Sequence, residues 1–233
     1  MKHGANLPGR PAQQGLALLV LLGIMLLGFS YVFLSDLNSN NRTRTDRDKL
    51  TAQALAEAKT ALIAYALTFP EKDLPTPPTP PDPPTAQTKF FVPGHLPCPD
   101  IGDMGREGQE RPSCGTQEVS AIGQLPWFSL KLPPLMDGSG NCLWYAVSGS
   151  YKNNPKADLL NRDTIGQFRI LAEDGVTVLA GDTPGSQVVA VIFAPGAPLP
   201  GQQRSRNAAS QCGQDYNPSH FLDSAGGVNN AVV

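Results

Sequence analysis

Residues 16–34 read LALLVLLGIMLLGFSYVFL. The run holds no charged residue and no proline. At 1.5 Å of rise per residue a helix over it is about 28 Å long, close to the thickness of a bilayer's hydrocarbon core. A transmembrane helix over residues 16–37 is therefore expected. A secretory signal has a shorter apolar run that ends in a small-x-small cleavage site. Gly28, Phe29 and Ser30 have that character but lie inside the run, which favours a retained anchor. Lys2 and Arg10 precede the run, while Arg42, Arg44, Arg47 and Lys49 follow it. A count of positive charges alone places the C-terminal part in the cytoplasm. Long C-terminal domains cross largely regardless of charge, and the cysteines argue for the opposite side.

There are four of them, Cys98, Cys114, Cys142 and Cys212, and none forms a Cys-x-x-Cys pair. An even set of this kind fits two structural disulfides and an oxidising compartment. Of the three possible pairings, Cys98 with Cys114 and Cys142 with Cys212 are favoured. The first pair flanks a loop rich in Gly and Pro, and the second ties a polar tail to a strand. The net charge of −2 and a charged fraction of 16%, against about 25% in ordinary soluble proteins, leave no basic face for nucleic acid. With 23 Gly and 23 Pro, the chain has many turns and little long helix outside its N-terminal part.

A short polar leader ends in Gln14-Gly15, and the apolar run begins at once with Leu16. This layout resembles the processing site of type IV pilins and type II secretion pseudopilins. The resemblance implies cleavage between Gly15 and Leu16 by a prepilin peptidase, with methylation of the new N-terminus. It also implies a filament held together through the N-terminal helix, with other pilin or pseudopilin subunits as partners. The family usually has Glu at the fifth mature position, and this chain has Val20. That Glu would neutralise a neighbour's N-terminal amine, an ion pair costly to leave half-made in an apolar setting. Val20 therefore points to a minor or priming subunit. The stretches PGHLPCPD at 93–100, LPWFSLKLPPL at 125–135 and FAPGAPL at 193–199 are also similar to pilin-like proteins.

Downstream of the run, residues 38–69 read as an amphipathic helix. Leu55, Ala58, Leu62, Tyr65 and Phe69 are spaced by three and four and share one face. Asp46 and Asp48 suit the start of that stretch. Pro70 ends it, and residues 70–89, rich in Pro and Thr, read as a semi-rigid extended linker. Residues 90–233 read as a compact, β-rich, disulfide-stapled domain. Strands are expected over 142–148 and 187–194, and a hairpin over 165–172 and 176–180 around Glu173-Asp174-Gly175.

The search for chemistry returns little. His3, His95 and His220 have no partner at metal-ligand spacing, and there is no His-Glu-x-x-His, Gly-x-Ser-x-Gly or phosphate-binding loop. No enzyme, no cofactor and no catalytic residue are expected. Gly138-Ser139-Gly140 reads as a turn. Asp100, Asp103 and Glu107 form the one candidate calcium loop, but they lack alternating acid spacing, and Arg106 brings opposing charge. A solvated turn is the preferred reading.

The expected fold is thus α+β: a long N-terminal helix, with a transmembrane half and an amphipathic half, packed on a small antiparallel β-sheet, pilin-like. The expected function is that of a minor pilin or pseudopilin in the bacterial inner membrane, single-pass, with its C-terminal domain in the periplasm or on an extracellular filament. The alternative is a single-pass periplasmic binding or scaffold protein that does not polymerise.

Overall fold

The computed structural model describes residues 14–68, 94–103, 105–153, 160, 162–205, 207–225 and 227–232. One helix, α1, runs over Gln14–Thr68, 55 residues. The chain divides into two compact units, Met1–Asp46 and Arg47–Val233. The expected leader before Gln14 and the linker at 70–89 lie outside the described residues, as does Phe69.

In the first unit α1 carries large apolar side chains on every face. From Leu19 to Phe29 they are between 53% and 79% exposed. In the second unit α1 is one-sided. Ala54, Ala58 and Leu62 are buried, with Thr51, Leu55, Ala61, Tyr65 and Ala66 half-buried beside them. These positions recur every three or four residues, as one face of a 3.6-residue helix requires.

That face packs into the principal core, with Leu96, Leu125, Leu130, Leu135, Leu143, Tyr145 and Val147. Only Tyr145 and Val147 of this set belong to a strand. The leucines come from the loops around it, and Leu96, Leu125 and Leu135 each adjoin a proline.

Strands β1 (Ala121–Gln124), β2 (Trp144–Val147) and β5 (Ala190–Phe193) form a three-stranded antiparallel sheet in the order β1-β2-β5. Strand β2 lies in the centre and is buried along its whole length, which explains its continuous apolar character. Strands β3 (Ile170–Leu171) and β4 (Val178–Ala180) pair as a hairpin, and β6 (Ser224–Ala225) with β7 (Val228–Asn229) make a second short ladder. In the β3–β4 turn the Asp174 carboxylate accepts from the Val176 and Thr177 amides, each at 2.9 Å. These contacts hold its pKa below the usual carboxylate range, the Thr177 hydroxyl contributing most.

The strands are shorter than the sequence pattern suggests. Residue 188 leaves the expected 187–194 strand to bridge Phe168, and the Val189 carbonyl accepts from the Ser148 amide at 2.9 Å. The Ser148–Val189 bond carries the β2–β5 register one pair further, and beyond it Val188 turns to Phe168.

The expected fold class is corrected here. Among the described residues no helix is long and apolar enough to cross a membrane. The long helix with a transmembrane half and the single-pass inner-membrane localisation are therefore not what the structure presents. Nor does the second stretch of α1 lie chiefly on a sheet: it docks mainly on Pro-rich loops, with the β pairing split into one small sheet and two short ladders.

Candidate functional site

The dock between residues 47–68 of α1 and the loops is built from close backbone approach and one buried polar cluster. The Thr51 hydroxyl donates to the Arg47 carbonyl at 2.9 Å and accepts from the Gly138 amide at 2.9 Å. A Cβ at residue 138 would overlap the Arg47 backbone, so only glycine fits there. The 138–140 turn is held by Asp137, whose Oδ1 accepts from the Ser139 and Asn141 amides at 2.8 and 3.0 Å.

About four turns further along α1, the Tyr65 hydroxyl donates to Glu110 Oε2 at 2.9 Å. Asn153 Nδ2 donates to the Tyr65 oxygen at 2.7 Å and to Glu110 Oε2 at 2.8 Å. Burial, and then the adjacent Glu110 carboxylate, push the Tyr65 hydroxyl far above the usual phenol range. It therefore stays a donor. The chain also returns to the helix here, with the Gly94 amide donating to the Ala66 carbonyl at 2.9 Å. The sequence pattern places Tyr65 on the buried face, but nothing in the spacing of Glu110 and Asn153 marks them as its partners.

Both disulfides are present, Cys98–Cys114 and Cys142–Cys212. The loop closed by the first is organised by Lys152. Its ammonium donates to the carbonyls of Cys114, Thr116 and Val119 at 2.7, 2.6 and 2.6 Å. Burial lowers its pKa, and the three carbonyls satisfy all of its donors. A lysine wrapped in this way gives no signal in the sequence.

The three acids of the candidate calcium loop are separated by their partners. Asp100, fully buried, accepts from the Gly102 and Gly108 amides at 2.9 and 2.7 Å. Burial raises its pKa although these two amides oppose the shift. Asp103 pairs with Arg111 at 2.7 Å. Glu107 turns to the C-terminal tail, where it accepts from the Ser210 hydroxyl and from the Gln211 and Cys212 amides. Among the described residues no group of three His, Cys, Asp or Glu is placed to hold a metal ion. The processing candidates Gly15 and Leu16 lie in the first turn of α1.

A cavity of about 440 Å³ opens beside the Cys142–Cys212 bridge. One wall is the end of β1 and the 136–142 turn, and the other is the tail at 204–213. The tail is fastened by the disulfide, by Glu107 and by Asp215. Burial opposes ionisation of Asp215, but hydrogen bonds from the Ser205 amide, His220 and the Asn217 amide hold its pKa below the usual range. His220 Nδ1 lies 2.9 Å from Asp215 Oδ2. Asn217 Oδ1 accepts from the Ser219 amide, so Asn217 Nδ2 is the donor to His220 Nε2 at 3.1 Å. That assigns the Nδ1–H tautomer to the imidazole.

No family model matches the chain, and neither a curated protein nor a solved structure is similar to it.

Proposed function

We propose that the protein is a pilin-like filament subunit, of the minor pilin or pseudopilin kind, whose activity is assembly through α1. The observation that carries this reading is the exposure of Leu19, Leu21, Leu22, Ile24, Met25, Leu26, Leu27 and Phe29 around the whole circumference of a regular helix. At about 25 cal/mol per Å² of apolar surface, a helix bare on every side is costly until other apolar surface covers it. A bundle of like helices supplies such cover on all faces, whereas a groove would cover one. The downstream part of α1, by contrast, spends its apolar face on its own domain. The polar leader that abuts the apolar run at Gly15-Leu16 supports the same reading, with prepilin peptidase as the processing partner and related subunits as assembly partners.

The test is the mass of the mature chain. Cleavage between Gly15 and Leu16 is expected, with one added methyl group. An intact Met1, or cleavage near Ser30, overturns the proposal. Cysteine cross-linking separates it from a non-polymerising scaffold: Leu26→Cys should give dimers between subunits, and a chain that stays monomeric at that position favours the scaffold.

A further inference from the structure

No residue of α1 lines the cavity beside the Cys142–Cys212 bridge, and its lining specifies a ligand chemistry. Its most buried polar lining residue is Gln124, at the end of β1 and 1% exposed. Gln124 Nε2 donates to the Asp215 carbonyl at 3.1 Å. A carbonyl accepts only from a donor, so this bond fixes which end of the amide is which. Gln124 Oε1 is then a buried acceptor, and it has no hydrogen-bond partner among the described residues. An unpaired buried acceptor costs about 1–3 kcal/mol, a cost relieved by a donor placed in the cavity. Directly across the ladder stands Trp144, whose buried indole Nε1 also has no partner among the described residues. Trp144 packs on Phe221, with ring centroids 5.2 Å apart, and Phe221 lines the cavity.

The described charges around this space are already committed. Arg204 Nη1 donates to the Gly196 carbonyl at 2.6 Å and Nε to the His220 carbonyl at 3.0 Å, with the guanidinium 5.0 Å from the centre of the Phe221 ring. Asp137 is held by the Ser139, Asn141 and Gly196 amides, and Glu107 and Asp215 serve the tail. Among the described residues an anion finds no uncommitted cation here, and a cation finds no uncommitted carboxylate. What remains is a neutral polar rim, from Ser205, Asn207 and Gln211, with the apolar surfaces of Met136 and Phe221. Water satisfies Gln124 but gains nothing from the apolar part. A ring that carries hydroxyls on its edge and C–H groups on its face satisfies both.

We propose that this cavity binds a neutral saccharide unit, with a ligand hydroxyl donating to Gln124 Oε1. The cavity lies within the common size range of small-molecule sites. The inference is independent of filament assembly and stands or falls separately from it.

The experiment is saturation-transfer NMR on the full-length chain. The probes are methyl glucoside, methyl galactoside, N-acetylglucosamine and maltose, with inorganic phosphate and calcium chloride as charged controls. Saturation transfer to at least one neutral saccharide is expected. Met136→Trp fills the cavity from the turn side, where the side chain is 39% exposed, and should weaken binding at least tenfold with an unchanged melting temperature. Ala208→Trp enters from the exposed tail wall and should do the same, so the two variants check one another. Three results overturn the proposal: no transfer to any saccharide, undiminished binding in both folded variants, or binding of phosphate or calcium in place of the saccharides.

Discussion

Residues 19–30 and residues 47–68 belong to one helix and share one backbone geometry, yet their side chains meet different surroundings. The first stretch is Leu, Val, Ile, Met and Phe at nearly every position and is exposed all round. The second buries one face, where Ala54 and Ala58 are buried along with Leu62. Alanine at the contact lets the helix backbone approach the loops closely, and Gly138 answers it from the other side. A helix apolar all round needs cover on every side, whereas a one-sided helix with small residues has already found its partner within its own domain. Composition at the contact, more than helix propensity, separates the two.

This contrast can be broken by substitution. The largest effect is expected at Leu62, buried in the core. Leu62→Ala should lower the stability of the domain by about 3 kcal/mol, the middle of the range for leucine truncation in a packed interior, read as a shift of the urea midpoint with unchanged slope. A loss under about 1 kcal/mol would mean that the helix is only loosely seated.

Tyr65→Phe comes next. It removes the hydroxyl that donates to Glu110 and accepts from Asn153, and leaves a half-buried carboxylate with one fewer partner. A loss of about 1.5 kcal/mol is expected, in the range for hydrogen bonds to charged groups. The double variant Tyr65→Phe with Asn153→Ala sharpens the point: the two losses should be clearly less than additive if the three groups form one cluster.

The smallest effect on the domain is expected at Leu26. Leu26→Ser should leave the urea midpoint of the domain unchanged to within about 0.5 kcal/mol, because this side chain is 61% exposed. Its effect should instead appear as weaker assembly, read by sedimentation. Equal destabilisation by Leu26→Ser and Leu62→Ala would erase the distinction between the two stretches.

Several elements were legible in the order of residues alone. The 3.6 period over Leu55, Ala58, Leu62 and Tyr65 marks the face that docks. The apolar run WYAV marks β2, and Asp174-Gly175 marks the turn between β3 and β4. The spacing of the cysteines around a Gly- and Pro-rich loop points to the bridges that form. The membrane-crossing half of the helix did not follow from the same kind of reading. A long apolar run satisfies the hydropathy rule for a span, but hydropathy alone does not say which apolar surface covers a helix. Nor was the dock on loops instead of a sheet legible, since periodicity identifies an inward face and not what lies opposite. Strand β1 was also missed: Ala-Ile-Gly-Gln is too short and too mixed to show a period of two.

By itself the sequence determined where helix could form, which face of residues 47–68 turns inward, and that the chain carries two bridges. These are properties of near neighbours, of spacing and of composition, and they are written locally. Only the tertiary structure decided that Glu110 and Asn153 meet Tyr65, that Lys152 collects three carbonyls, that the three acids of the 100–107 loop go to three different partners, and that Gln124 keeps a buried acceptor at the wall of a cavity. Each of those contacts except the shortest turns joins residues far apart in the chain. Their geometry depends on how the loops close over one another, and a polar side chain carries the same chemistry in the sequence whether it faces water, a carbonyl or an empty space.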